Sequence, residues 1–277
     1  MLKILPLLLL PLLATAQIPP TDTLTRYLQH LPPGITISLA LESLTDTARH
    51  FYHRPDVRVP SASVIKLPIM IEAMTWVQDG RLNPDEIHIL TTSEKAGGSG
   101  VLNTYPHRSR ITYRDLITLM MTISDNTATN ILIRELGMDT INARMTALGL
   151  TQSRLNREMM DTAAVKQGRQ NYVSAREMNQ LLRLIYEKRI VTPALCDEML
   201  DILKANEDTT TIPRLLPKTM LVAHKTGTLD YIRGDVGIVY AAKPFLLSVF
   251  IEGITTPEAE RIIGELAKLS MEVVLGQ

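Results

Sequence analysis

Strand-like patterns of apolar residues occur near both ends of the chain. Ile35–Leu41 alternates apolar and polar positions, as a half-buried strand does, and His50–His53 is a candidate hairpin partner. Three later segments are short and rich in apolar or β-branched residues: Leu221–Lys225, Gly234–Ala241 and Phe245–Glu252. Because strands that are distant in sequence can share one sheet, these segments predict a sheet built from both ends of the chain.

The middle of the chain has helical periodicity instead. Thr112 followed by Asp115 has the spacing of a capping box at a helix start, and Gly137 and Gly149 stand where helices commonly end. The predicted helices are Val64–Val77, Tyr113–Ser124, Thr127–Leu136, Thr140–Leu148, Ala175–Lys188 and Pro193–Ala205. This run predicts an all-helical region between the strands.

Two more helices are predicted at the ends, Leu24–Leu31 and Glu258–Leu275, and both can cover the sheet. The pattern therefore predicts an α+β fold, with an antiparallel sheet covered by the N- and C-terminal helices and an inserted all-helical domain. We assign the discontinuous sheet domain to residues 17–58 and 207–277, and the helical domain to residues 59–206.

The first residues predict export. A positive charge precedes an apolar run, and Ala14 and Ala16 supply the small residues of a cleavage site. Pro6 and Pro11 argue against a buried helix, and the run is shorter than the ~20 apolar residues that span a membrane. We expect residues 1–16 to be a signal peptide, which leaves a periplasmic or secreted bacterial protein without a stable membrane anchor.

Composition narrows the choice of partners. The sequence has 29 Lys and Arg against 29 Asp and Glu, so it has no general attraction to nucleic acid or anionic lipid. Cys196 is the only cysteine, which excludes an intrachain disulfide. The histidines lack metal-ligand spacing. We therefore expect a monomer that acts on a small molecule and uses no metal or other cofactor.

A Ser-x-x-Lys motif, Ser63 and Lys66, opens the first long predicted helix. Residues three apart share a helix face, so the Lys66 amine can reach the Ser63 hydroxyl. A neighbouring base activates a serine hydroxyl, and burial or a nearby cation can keep a lysine neutral. At a helix start the Ser63 N–H also points outward, toward a carbonyl oxygen. Pro68, placed beyond the first turn, should distort this helix locally.

A Ser-Asp-Asn motif follows the apolar end of another predicted helix. The Ser124 hydroxyl could relay a proton to a leaving nitrogen, and Asn126 could bind a substrate amide, because its side chain both donates and accepts. Asp125 is expected to hold the loop through backbone hydrogen bonds. The alternative interpretation is an ordinary helix end or helix cap.

A Lys-Thr-Gly motif ends an apolar strand. Lys225 and Thr226 present a cation and a hydroxyl that suit a substrate carboxylate. Gly227 permits close approach of another backbone, so an extended substrate could pair with this edge. The Thr228 N–H would then be a second oxyanion donor, opposite that of Ser63. The alternative is an ordinary hairpin turn.

The three motifs together indicate a known signature. They occur in the order Ser-x-x-Lys, Ser-Asp-Asn, Lys-Thr-Gly, at a predicted helix start, an interhelical loop and an edge strand. Over about Leu24–Leu275 the chain resembles class A β-lactamases and related penicillin-recognising serine hydrolases. The stretches that carry the resemblance are Pro60–Lys66, Ser124–Asn130 and His224–Thr228.

This resemblance implies a β-lactamase/transpeptidase-like fold and an acyl-enzyme on Ser63. Lys66 would be a base or proton relay, Ser124 a proton shuttle and Asn126 the ligand of the substrate's side-chain amide. Lys225 and Thr226 would bind the β-lactam carboxylate. Arg233, in the predicted turn between two strands, either adds a positive charge near that carboxylate or is a surface residue of a hairpin.

One segment departs from the family pattern. Class A enzymes carry Arg-x-Glu-x-x-Leu-Asn in the loop after this helical run, and their glutamate holds the water that clears the acyl-enzyme. If Arg157 is the family's arginine, Met159 stands at the glutamate position. Glu158 could replace it if the loop shifts by one residue, although a solvated or salt-bridged Glu158 is the alternative. Asp161 is the other nearby carboxylate.

Three functions follow as hypotheses. The first is a serine β-lactamase-like hydrolase that opens β-lactam rings through Ser63. The second is a D-Ala-D-Ala peptidase-like hydrolase on the same fold, which would release penicillin slowly. The third is a penicillin-binding sensor, for which acylation is the end point. The displaced glutamate keeps the second and third open.

Overall fold

The computed structural model describes residues 22–276, so the signal peptide predicted at residues 1–16 lies outside the described part of the chain. Its strands are β1 (Thr36–Ser43), β2 (Phe51–His53), β3 (Val59–Pro60), β4 (Ile87–Ile89), β5 (Arg110–Thr112), β6 (Tyr172–Val173), β7 (Val222–Leu229), β8 (Ile232–Val239) and β9 (Phe245–Glu252). Its helices are α1 (Asp22–Gln29), α2 (Lys66–Gln78), α3 (Tyr113–Thr122), α4 (Asn126–Leu136), α5 (Met138–Ala147), α6 (Thr162–Lys166), α7 (Ala175–Tyr186), α8 (Pro193–Lys204) and α9 (Thr256–Leu275).

One antiparallel sheet joins the two ends of the chain. Its strand order is β2-β1-β9-β8-β7, so β7, which carries the Lys-Thr-Gly motif, lies at an edge. The hairpin partner predicted at His50–His53 is confirmed as β2, where Leu39 lies opposite His53. The α+β fold is therefore confirmed.

The sheet is covered on both faces. Leu39 and Val249 pack with Leu24 of α1 and Ile262 of α9 on one face. On the other face Ala40 packs with the helical core, which includes residues of α2, α3, α4, α7 and α8. We expected β1 to be half-buried, but it is buried on both sides because the helices also cover the second face.

The nucleophile motif has a distorted helix start. Ser63 lies in a short 3-10 turn, Ala62–Ile65, and α2 begins only at Lys66. Pro68 is therefore the third residue of α2, inside the first turn, where a missing N–H costs little. The expectation that Pro68 lies beyond the first turn is wrong, and the local distortion takes the form of the 3-10 turn.

The other helix limits lie within about two residues of the predictions. The largest consequence is at α3, which ends at Thr122, so Ser124 is in the connection to α4 and not in the helix predicted to include it. The sequence pattern missed α6 and the short strands β3 to β6, which are too brief to produce a periodic signal. None of the helices between residues 22 and 276 has the length and apolarity of a membrane span.

Candidate active site

Three segments that are far apart in the chain meet around one amine. The Lys66 Nζ lies 3.1 Å from the Ser63 Oγ and 3.0 Å from the Ser124 Oγ. It is also 2.9 Å from the Asn126 Oδ1 and 2.7 Å from the Ser124 carbonyl oxygen. The amine thus connects both serine hydroxyls, which is the arrangement that proton transfer between them requires.

Burial governs the protonation of Lys66. The side chain is fully buried at the start of α2. Burial, and after it the positive charge of Lys225, hold the pKa of Lys66 well below its usual value, against the opposing charge of Asp125. A lower pKa increases the unprotonated fraction at neutral pH, so Lys66 can accept the proton of Ser63.

A second buried lysine lies on β7. The Lys225 Nζ donates to the Ser124 Oγ at 3.2 Å and to the Thr226 carbonyl oxygen at 2.9 Å. Burial lowers the pKa of Lys225 to about 8, although the charges of Asp235 and Asp208 oppose the shift. The Ser124 hydroxyl therefore lies between two amines, where it can pass a proton.

Backbone hydrogen bonds to Asp125 hold Ser124 in place. Ser124 has φ +59°, a left-handed conformation that an L-residue adopts at a cost of ~1 kcal/mol. The Asp125 carboxylate accepts from the Val101 N at 2.7 Å, the Leu102 N at 2.9 Å and the Ala128 N at 2.9 Å. Asp125 thus holds the loop as its sequence context predicts, and it also caps α4.

Asn126 is already hydrogen-bonded at both ends of its amide. Its Oδ1 accepts from Lys66, and its Nδ2 donates to the Gly97 carbonyl oxygen at 3.0 Å. A side chain on Gly98 would begin 2.8 Å from the Asn126 Nδ2 and 3.1 Å from the Met160 Sδ. The second Nδ2 hydrogen is the one that can serve a substrate carbonyl.

The backbone that closely approaches Gly227, as predicted, belongs to this protein. A Cβ there would lie 2.9 Å from the Ser61 carbonyl oxygen and 3.1 Å from the Ser63 N. Glycine is therefore required for β7 to reach the turn of the nucleophile. The sequence suggested that an extended substrate would approach Gly227, whereas in the structure the turn that carries Ser63 does so. Thr228, the next residue of β7, is exposed beside it.

Arg233 lies neither in a turn nor on the surface. Its predicted place in the turn and the alternative of a surface residue of a hairpin are therefore both wrong. It lies on β8 opposite Thr228, is 4% exposed, and donates to the Thr228 Oγ1 at 2.6 Å. Its Nη2 lies 2.6 Å from the Asp208 Oδ2 and 3.1 Å from the Glu260 Oε1. Two carboxylates therefore compensate its charge beside the Lys-Thr-Gly motif.

A buried pair that the motifs did not reveal supports β7. Asp235 lies opposite Thr226 across the strand pair. Its carboxylate is fully buried and accepts from the His224 Nδ1 at 3.0 Å and from the Thr211 Oγ1 at 2.6 Å. These hydrogen bonds fix the strand behind Thr226, so His224 has a structural role. Its spacing from the other histidines had already argued against metal binding.

Glu158 lies apart from the serines. Its carboxylate accepts from the Arg134 Nε at 2.8 Å and from the Arg134 Nη2 at 2.5 Å, and it lines neither cavity at Ser63. This is the salt-bridged alternative named above.

Asn130, which sequence reasoning missed, holds Met159, the residue after Glu158. Its side chain accepts from the Met159 N at 2.8 Å and donates to the Met159 carbonyl oxygen at 3.1 Å. Its position four residues after Asn126, on the same face of α4, was the available signal.

Two cavities meet at Ser63. The lysine-side cavity, of about 360 Å³, is lined by Ser63, Ser99, Thr122, Ile123, Ser124, Asn206, Glu207, Asp208, Lys225, Thr226, Gly227, Thr228 and Arg233. The loop-side cavity, of about 500 Å³, is lined by Ala62, Ser63, Gly98, Ser99, Asn126, Arg157, Met159, Met160, Asp161, Thr162, Val165, Gln170, Thr228, Leu229, Asp230 and Tyr231. Within residues 22–276, no cluster of three or more His, Cys, Asp or Glu side chains is arranged to hold a metal ion.

Comparisons with known proteins agree with this geometry. The β-lactamase enzyme family matches residues 20–274. The β-lactamase VEB-1 of Pseudomonas aeruginosa is 28% identical over 242 residues, which cover 80% of each chain. A β-lactamase structure from Sphaerobacter thermophilus superposes with a TM-score of 0.83 at 28% identity, covering 88% of this chain and 93% of that one.

A penicillin-binding protein is equally similar in structure. PBP-A, as a leucine-to-glutamate variant solved as an acyl-enzyme with penicillin G, superposes with a TM-score of 0.85 at 25% identity. The match covers 93% of this chain and 97% of PBP-A. With its family matched along almost the whole described chain and its three motifs gathered at one serine, this protein belongs to the β-lactamase enzyme family as a class A β-lactamase-related serine enzyme.

Proposed function

We propose that the chain is a serine hydrolase that opens β-lactam rings through an acyl-enzyme on Ser63. Lys66 takes the Ser63 proton as the Oγ attacks the β-lactam carbonyl. The carbonyl oxygen, which becomes negative, is stabilised by the Ser63 and Thr228 N–H groups. The ring C–N bond then breaks, and Ser124 supplies a proton to the leaving nitrogen. Water finally hydrolyses the ester and restores Ser63.

The observation that carries this proposal is the position of Lys66. Its fully buried amine lies within 3.1 Å of both serine hydroxyls, so one base can serve both proton transfers. Lys225 and Thr226 border the lysine-side cavity, where a cation and a hydroxyl would bind the substrate carboxylate. Asn126 borders the loop-side cavity, where it would bind the amide of the acyl group.

A second candidate is a D-Ala-D-Ala peptidase-like enzyme or a penicillin-binding sensor that deacylates slowly. The observation in its favour is on the loop side, where Met159 lines the cavity and the Glu158 carboxylate is paired with Arg134. The leucine-to-glutamate variant of PBP-A, solved as an acyl-enzyme with penicillin G, is a precedent on this fold for a penicillin adduct.

To test these candidates, the purified protein is incubated with a chromogenic cephalosporin, and both substrate turnover and the intact mass of the protein are measured. Repeated turnovers support the β-lactamase, and a single long-lived adduct on Ser63 supports the second candidate. Ser63→Ala should form no adduct, and Ser61→Ala, at a neighbouring buried serine, serves as the control. If the wild-type protein forms no adduct and shows no turnover, both candidates are wrong.

Export is part of the proposal and rests on the sequence of residues 1–16. We propose that the signal peptide is cleaved after Ala16 and that the enzyme works in the periplasm or outside the cell. Intact mass and N-terminal sequencing of the protein recovered from the periplasm should give Gln17 as the first residue. Recovery of the chain from the cytoplasm with Met1 or Leu2 first would contradict export.

A further inference from the structure

The loop-side cavity contains a buried guanidinium that has no ion pair. Arg157 is 8% exposed, and within residues 22–276 it forms no salt bridge. Its Nε and Nη2 donate to the Gln170 Oε1 at 3.0 Å and 2.7 Å, and its Nη1 donates to the Glu158 carbonyl oxygen at 2.9 Å. All of these acceptors are neutral, so the positive charge of Arg157 is uncompensated by direct contact.

Arg157 also keeps unused hydrogen-bonding capacity. A guanidinium has five N–H groups, and these contacts use three of them. Burial lowers the pKa of Arg157 against the opposing negative charge of Asp161, which reflects the cost of keeping the cation away from water. A carboxylate that enters the cavity could accept the remaining N–H groups and offset that cost.

The same cavity contains negative charge. Asp161 is half-buried, and its Oδ1 caps α6 by accepting from the Ala164 N at 2.9 Å. The other oxygen, Oδ2, makes no hydrogen bond among residues 22–276. Asp230 contributes a second, exposed carboxylate to the lining. A ligand with only a carboxylate would be attracted by Arg157 but repelled by Asp161 and Asp230.

Part of the cavity lining is apolar. Met159, Met160 and Leu229 border the cavity, and Met160 has φ +61° with its side chain half exposed. An alkyl segment that leads away from the acylated serine could therefore pack against these side chains.

From this arrangement we propose that the loop-side cavity is a subsite for an acyl group that ends in a free α-amino acid, with its carboxylate on Arg157 and its ammonium on Asp161. This proposal rests on the acyl-enzyme function proposed above and names the class of acyl donor. A diamino acid joined through one amine, with its other amino and carboxyl groups free, has this chemistry.

The probes are four cephalosporins that share the 7-aminocephalosporanic acid nucleus and a five-carbon acyl backbone. The acyl groups are 5-amino-5-carboxypentanoyl, 5-carboxypentanoyl, 5-aminopentanoyl and pentanoyl. The second-order rate constant for acylation of the full mature enzyme should be about 10- to 100-fold larger for the zwitterionic probe than for pentanoyl, because hydrogen bonds to charged groups have this strength. Both singly charged probes should fall between these two.

Asp161→Asn is the sharpest variant, because asparagine also caps a helix start and the fold of α6 is retained. The variant should lose about tenfold with the zwitterionic probe and gain with the carboxylate-only probe, since a repulsion is removed. Lys166→Gln, on the same helix but outside the cavity lining, should change neither rate. Acylation, and not release, is measured, so an effect of Asp161 on hydrolysis does not interfere.

Arg157→Gln removes the cation and keeps a donor for Gln170. It should abolish the preference for both carboxylate-bearing probes while the pentanoyl rate stays within about twofold, with thermal unfolding as the check on folding. Equal rates for all four probes, or an Asp161→Asn variant that slows the carboxylate-only and zwitterionic probes alike, would overturn the subsite and leave the acyl-enzyme proposal intact. Failure of all four probes to acylate Ser63 would instead reject the proposed function.

Discussion

The two sides of Ser63 differ in how their polar groups are connected. On the lysine side, Lys66, Ser124 and Lys225 form one chain of hydrogen bonds between 2.7 and 3.2 Å. On the loop side, Met159 lines the cavity, and the nearest sequence candidate for a base, Glu158, is paired with Arg134. The first side has the groups that the proposed ring opening uses. On the second side Met159 stands at the position of the family's glutamate, and the carboxylates of the lining are those of Asp161 and Asp230.

Under the proposed function, this difference assigns formation of the acyl-enzyme to one side of Ser63 and its release to the other. Formation depends on a buried amine near two hydroxyls, and release depends on a carboxylate aimed into the opposite cavity. Asn130 holds the Met159 backbone through two hydrogen bonds, so the loop is kept in position even though the side chain at this point cannot act as a base. Substitutions on each side should therefore affect different steps.

The largest effect is expected on the lysine side. Lys66→Met removes the amine and keeps an unbranched apolar side chain that is one atom shorter, and acylation should slow by about 10³-fold, within the range for loss of a general base. Stopped-flow measurement of adduct formation checks it, with thermal unfolding as the control for folding. Acylation within about tenfold of wild type would mean that another group activates Ser63.

The next effect is expected on the loop side. Met159→Glu places a carboxylate in the loop-side cavity without touching the backbone hydrogen bonds from Asn130, and release should accelerate by about 10²-fold. Met159→Gln is the matched control, because it has the same length without a base. The readout is the half-life of the adduct, measured by intact mass. Equal half-lives in the two variants would refute the assignment of acyl-enzyme release to this loop.

A smaller effect concerns pH and belongs to the lysine side. As pH rises, deprotonation of Lys66 should first raise kcat/KM, and deprotonation of Lys225, whose pKa burial lowers to about 8, should then reduce it. The fall should reach about tenfold by one unit above that pKa for substrates that carry a carboxylate. Lys225→Arg should move the falling limb to higher pH. A falling limb near pH 8 that also appears with a carboxylate-free ester would contradict the role of Lys225.

The smallest effect is expected at Glu158. Glu158→Gln should leave the release rate within about twofold, because the carboxylate is paired with Arg134 and lies outside the cavity lining. The free energy of unfolding should fall by at most ~1 kcal/mol, as for other exposed ion pairs. A tenfold longer adduct half-life in this variant would show that the loop moves and brings Glu158 to the site.

Much of the fold followed from periodicity, because the strands and helices are long enough for their apolar patterns to repeat. Phe245–Glu252 was predicted with the limits that β9 has, and the helix predicted at Pro193–Ala205 starts with α8 and ends one residue beyond it. The short elements were missed, as was the burial of β1 on both faces, because the helices that cover its second face come from a distant part of the chain.

The motifs named the groups of the candidate site, and the structure added what holds them. The three motifs taken together, and the family that they resemble, singled out Ser63, Lys66, Ser124, Asn126 and Lys225. Asp235 has no such local signature, because its partners lie on other segments. The only local signal for Asn130 was its spacing from Asn126, and its partner Met159 lies on another segment.

By itself, the sequence determined which reactive groups the protein has and which elements carry them, since local spacing places side chains on a common helix face or strand. Only the tertiary structure decided the charge state and availability of those groups. Burial lowers the pKa of Lys66, and the Glu158 carboxylate forms an ion pair with Arg134. Arg157, which lines the loop-side cavity, has no ion pair within residues 22–276. Electrostatic energies depend on distances through space and on exclusion of water, and neither can be read along a chain.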